Sequence, residues 1–133
     1  MIRNINHIGI ATHNLETAMN LYGKIFGITE FHRERVEAQK VDIASFRIGN
    51  VLIELTAPTS PDSPIGKFLD KRGEGIHHIA FSTDNVDVEL ARLENEGIAL
   101  INHSAQAGAH DMLIGFLHPK STGGVLMELC QNR

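Results

Sequence analysis

The chain has 133 residues, 42% of them apolar and 21% charged, which suits one folded unit with its own core and leaves no room for a second ordinary domain. Sixteen acids against twelve bases give a net charge of −4, so no basic face is offered to nucleic acid. No apolar run is long enough to span a membrane, and MIRNINHIGIATHNL lacks the basic-then-apolar plan of a secretory leader. The single cysteine, Cys130, excludes an intrachain disulfide and lies in an apolar run, so a cytoplasmic protein with a buried thiol is expected.

The first strand-like segment, NHIGIA, has period two: Ile8 and Ile10 take one face, His7, Gly9 and Ala11 the other. Asn14 then stands before the helical stripe Leu15, Met19, Tyr22 and Phe26, where its amide oxygen can cap the first free backbone donors, and Gly27 closes the helix. Three strand-like runs follow, ITEFHRERVE, QKVDIASFRI and NVLIELTA. In the last of them Val51, Ile53 and Leu55 face the helix, which turns Glu54 the other way with Leu52 and Thr56. PTSPDSPIGKFLDKRGEG reads as a linker, with Ser63 and Pro64 opening a short connecting helix.

Beyond the linker the pattern starts again. In HIAFST, His78, Ala80 and Ser82 oppose Ile79 and Phe81; Asn85 precedes the stripe Val86, Leu90 and Leu93; Gly97 follows; and IALINHSAQ, DMLIGFLH and GVLMELCQ read as strands. In the last run Glu128 shares its face with Leu126 and Cys130. HIGIATHNLETAM (7–19) lies over HIAFSTDNVDVEL (78–90), and GNVLIEL (49–55) over GGVLMEL (123–129), so one module is written twice. The expected fold is α+β: two tandem βαβββ modules, 1–58 and 75–133, joined by a linker with a short helix at 59–74, forming one curved mixed sheet around a metal cleft within a single domain.

Pseudo-twofold pairing of the modules brings His7, Glu54, His78 and Glu128 to a common centre. Two imidazoles and two carboxylates suit one borderline divalent ion such as cobalt, nickel, manganese, iron or zinc, and they leave two octahedral positions for a chelating substrate. A lone strand histidine is usually structural and a lone glutamate usually solvated; recurrence in register on one face is what lifts this set above that reading. His77 falls on the helix side and reads as structural. His13, His32, His103 and His110 have no repeat partner and read as turn or surface residues. His118, in LHPK, reads as a cleft-mouth or a turn residue, and Lys67 and Lys71 as a solvated face.

The paired modules resemble the vicinal oxygen chelate superfamily, which includes glyoxalase I, extradiol dioxygenases and antibiotic-resistance proteins. NHIGIAT, DSPIGKFLDKRGEGIHHIAF and FLHPKSTGGVLMEL are similar to segments of its methylmalonyl-CoA epimerases, and the likeness covers nearly the whole chain. The resemblance implies the same four ligands, His7, Glu54, His78 and Glu128, and an ion that chelates the thioester oxygen and carboxylate of a malonyl thioester while the α-proton leaves one face and returns to the other. It implies Glu128 as one acid/base. Some epimerases carry the second on the third strand of module one; Ile43 occupies that place here, so Asp42 beside it is the candidate if a register shift or bulge presents it, with another group or water as the alternative. The resemblance also implies an acyl-CoA partner and a homodimer. A lactoylglutathione lyase of the glyoxalase I type and a non-catalytic antibiotic-binding protein are the competing readings.

Overall fold

A computed structural model describes residues 1–133. The elements run β1 (Ile2–Ala11), α1 (Leu15–Phe26), β2 (His32–Val36), β3 (Val41–Ile48), β4 (Val51–Pro58), α2 (Pro64–Arg72), β5 (Gly75–Thr83), α3 (Val86–Asn95), β6 (Gln106–Ala107), β7 (Met112–Phe116) and β8 (Met127–Asn132). Eight strands in the hydrogen-bonded order β2-β3-β4-β1-β5-β8-β7-β6, with three helices, make the expected α+β architecture. The sheet is mixed: β5 and β8 run parallel, whereas β2–β3, β3–β4, β6–β7 and β7–β8 are antiparallel. The chain forms two compact units, one of residues 8–77 and one of residues 1–7 with 78–133.

In the unit of residues 8–77, Leu15 and Ala18 of α1 bury against Ala44, Leu55 and Ala57, with Ile10 and Ile53 packed alongside. These are the residues that strand parity turns toward the helix. Asn14 caps α1 by accepting from the Thr17 amide at 2.9 Å, and Gly27 ends it in the left-handed region at φ 67°. Ser63 accepts from the Gly66 amide at 3.0 Å, with Pro64 in the first turn of α2.

In the other unit, Val86 and Leu90 of α3 bury against Leu117 and Leu129, flanked by Phe81 and Met127. Asn85 repeats the cap of its counterpart, accepting from the Val88 amide at 3.0 Å. A second cluster, Ala80, Met112, Ile114 and Cys130 with Phe116, fills the opposite face of β5, β7 and β8.

The run IALINHSAQ is not the strand its composition suggests. Only an isolated bridge between Leu100 and Leu117 and the two-residue β6 form. Polar side chains take the ladder's place: Asn102 Oδ1 accepts from the Phe116 amide at 2.8 Å, and Asp87 Oδ1 accepts from the Ala105 amide at 2.7 Å. Short polar side chains that satisfy nearby amides compete with sheet pairing in this way.

Candidate metal centre

β1, β5 and β8 deliver three buried side chains of one unit to a common point: His7, His78 and Glu128 are 4%, 8% and 4% exposed. The Nε2 atoms of His7 and His78 lie 3.1 Å apart. Glu128 places Oε2 at 3.4 Å from His7 Nε2 and Oε1 at 3.5 Å from His78 Nε2. Register explains the approach. Ala80 pairs with Glu128 across the parallel β5–β8 ladder, so the carboxylate projects on the same face as Ala80 and, two residues earlier on β5, His78. Ala80 brings only a methyl group to that face, and the histidine two positions before it has space to reach in.

Donor spacing tests whether these groups suit a divalent ion. With metal–nitrogen and metal–oxygen distances of about 2.0–2.1 Å, neighbouring ligand atoms stand about 2.9 Å apart around an octahedral ion and about 3.4 Å apart around a tetrahedral one. The Nε2–Nε2 separation of 3.1 Å falls in that interval, and each nitrogen has a different Glu128 oxygen near its upper edge, at 3.4 and 3.5 Å, so the two imidazoles and the carboxylate are spaced as donors to a cation. The donor chemistry agrees, because two imidazoles with a carboxylate suit borderline divalent ions.

The tautomer of His7 is set by its neighbour. Asn6 Oδ1 lies 2.7 Å from His7 Nδ1, and an amide oxygen only accepts, so Nδ1 donates there and Nε2 is the ring nitrogen that faces His78 and Glu128. Asn6 immediately precedes His7, yet period-two parity sends the two residues to opposite faces, which is why sequence reasoning passed over it. Phe116, the cross-strand partner of Glu128, sets its ring edge-on to His78 at 5.8 Å between centroids. Cys130 is fully buried; its Sγ donates to the Phe81 carbonyl at 3.6 Å and lies within 4.8 Å of donor atoms of His7 and Glu128.

Glu54 belongs to the unit of residues 8–77. It is 3% exposed on β4, directly across from Ser45 of β3. Asp42 is in the same unit on the other face of that strand. It pairs with Ala57, a member of the core against α1, and both oxygens are held by Arg35 at 2.7 and 2.9 Å, which keeps the carboxyl below its ordinary range. The β2–β3 and β3–β4 registers run through Asp42 without a shift or bulge, so the displacement that would bring it to Glu54's face does not occur. The buried residues on that face of β3 are Val41, Ile43 and Ser45.

The remaining histidines are engaged elsewhere. His77 packs edge-on against Phe68 of α2 at 4.9 Å between centroids, a structural role. His118 Nδ1 accepts from the Lys120 amide at 3.1 Å and closes a turn. His103 Nδ1 lies 2.9 Å from Glu94 on the surface. His13 and His32 are exposed, and His110 sits in a short 3-10 turn at φ 56°.

Burial pushes the His77 imidazole down to about 4 from its ordinary 6.5. The unfolded chain takes up this proton as pH falls below about 6.5, while the folded chain resists until about 4, so the fold loses stability progressively across that window. A His77→Leu variant is expected to show a flatter fall of unfolding temperature between pH 6.5 and 4 than the parent chain. Parallel profiles would show that His77 charges freely in the fold.

The family model of the Glyoxalase/Bleomycin resistance protein/Dioxygenase superfamily matches residues 6–116. The uncharacterized protein YqjC of Bacillus subtilis is 40% identical over 127 residues, 96% of this chain and 91% of that protein. The mitochondrial methylmalonyl-CoA epimerase of Homo sapiens is 36% identical over 128 residues, 96% of this chain and 73% of that protein. A solved structure of a Streptomyces coelicolor methylmalonyl-CoA epimerase variant, in complex with 2-nitronate-propionyl-CoA, superposes with a TM-score of 0.94 at 38% identity, covering 99% of this chain and 96% of that one. No helix of the chain is long and apolar enough to cross a membrane. The chain belongs to the glyoxalase/bleomycin resistance protein/dioxygenase superfamily and is an enzyme of its epimerase kind.

Proposed function

We propose that the chain inverts the α-carbon of methylmalonyl-CoA or a close 2-substituted malonyl thioester through an enolate, at a site where His7, Glu54, His78 and Glu128 hold one divalent ion, cobalt first among the candidates. The observation that carries the reading is the approach of His7, His78 and Glu128 to within 3.1–3.5 Å of one another in a chain 36% identical to an epimerase over almost its whole length. Glu54 joins them as the repeat counterpart of Glu128, a buried carboxylate on the face of its strand that turns away from α1.

A malonyl thioester loses its α-proton only if the charge that develops on oxygen is stabilised, and a bound divalent cation supplies that stabilisation. The protein's own groups do the rest. The two imidazoles would hold the ion through their Nε2 atoms, with the ring of His7 oriented by Asn6. Glu128 has two carboxylate oxygens, so it can act as a donor with one and take or return the α-proton with the other. Inversion needs a second proton group on the opposite face. Asp42 is turned away and paired with Arg35, so we assign that role to water in the cleft rather than to a carboxylate of β3.

The buried Cys130, the only cysteine of the sequence, supports a reducing compartment such as the cytoplasm. The homodimer rests on family likeness. The test is solvent exchange: with cobalt(II) and methylmalonyl-CoA in deuterated water, the α-position is expected to acquire deuterium at a rate set by enzyme concentration. Protein that takes up cobalt yet gives no exchange would rule the epimerase out, and turnover of a hemithioacetal instead would favour the glyoxalase-type lyase.

A further inference from the structure

Ser45 lies in the middle of β3, only 2% exposed, and its hydroxyl has no hydrogen-bond partner among the chain's own groups. A buried hydroxyl left unsatisfied costs on the order of 1–3 kcal/mol, so such a group calls for an explanation. The register supplies the reason. Ser45 is the cross-strand partner of Glu54, and residues directly opposite in an antiparallel pair share a face, with Cβ atoms about 4.5–5.5 Å apart. A hydroxyl on one and a carboxylate on the other can meet by rotation about side-chain bonds alone. Neighbouring buried positions on that face of β3 are Val41 and Ile43, which offer Glu54 no donor.

We infer that Ser45 is a positioning residue for the metal site: its hydroxyl donates to one oxygen of Glu54 and so holds the other oxygen for the cation. The inference rests on the reading of Glu54 as a ligand. In this arrangement the hydroxyl gains its partner as the carboxylate takes its ligating orientation. The other carboxylate, Glu128, has Phe116 as its antiparallel cross-strand partner.

The inference predicts opposite signs in two measurements. Ser45→Ala removes an unsatisfied polar group, so the unfolding temperature of the metal-free chain is expected to stay level or rise. Its affinity for cobalt(II), measured by titration calorimetry, is expected to fall by about 10- to 100-fold, the usual loss for a group that orients a ligand. Ser45→Thr keeps the hydroxyl and is expected to restore most of that affinity. Equal cobalt affinity in the parent and Ser45→Ala overturns the inference while leaving the metal site standing. A parent chain that takes up no cobalt, or a Glu54→Ala variant that binds as the parent does, overturns the ligand reading and the inference with it.

Discussion

Glu128→Gln is expected to lower epimerase turnover by about 10²- to 10⁴-fold, the range over which a positioned proton-transfer group acts. The substitution keeps the shape of the side chain and one oxygen donor, so cobalt uptake persists at reduced affinity and the fold is retained. What it removes is the oxygen that exchanges the α-proton, together with the negative charge that faces His7 and His78 at 3.4 and 3.5 Å. The measurement is turnover at saturating cobalt and thioester, with calorimetric titration of the metal on the same sample. A cobalt-loaded Glu128→Gln enzyme that turns over like its parent would remove Glu128 from proton transfer and leave it a ligand only.

Leu90→Ala is expected to destabilise the chain by about 2–5 kcal/mol, because the lost transfer energy of a fully buried leucine adds to the cavity left behind. Collapse around this cavity is limited. Leu90 stands on α3 among Val86, Leu117 and Leu129, and a methyl group built on Gly115 would lie 2.8 Å from its Cδ1, so strand and helix are already in close contact. Leu129 adjoins Glu128 on β8 and points to the opposite face, so the packing that Leu90 provides also holds the strand that delivers the carboxylate. Urea denaturation measures the effect, with Val88→Ala as the control. Val88 is on the same helix but 60% exposed, and its truncation is expected to change stability by less than about 0.5 kcal/mol. Similar losses for the two variants would mean that the α3 face carries little of the stability.

The limits of sequence reading appear where one local pattern meets two environments. GNVLIEL and GGVLMEL are nearly the same word, yet pairing begins at Val51 in the first and at Met127 in the second. Gly123 and Gly124 both take positive φ, at 69° and 95°, and keep the chain in a turn where Asn50 leads directly into β4. IALINHSAQ likewise has strand-like apolar positions, but Asn102 and Asp87 answer backbone amides that a ladder would have used. The second outcome does not follow from residue type alone, since it depends on which distant amide comes within reach.

Residue order alone carries the duplicated α+β plan, the capped ends of α1, α2 and α3, and the faces of the strands that bear His7, Glu54, His78 and Glu128. Those features follow from periods of 2 and 3.6 and from local capping chemistry, which act over a few residues. Assembly of the sheet is what turns Asp42 to Arg35, sets Asn6 against the ring of His7 and puts the Ser45 hydroxyl across from Glu54. The first two depend on which polar partner comes within about 3 Å, and the third on strand register; both are set once the whole sheet has assembled.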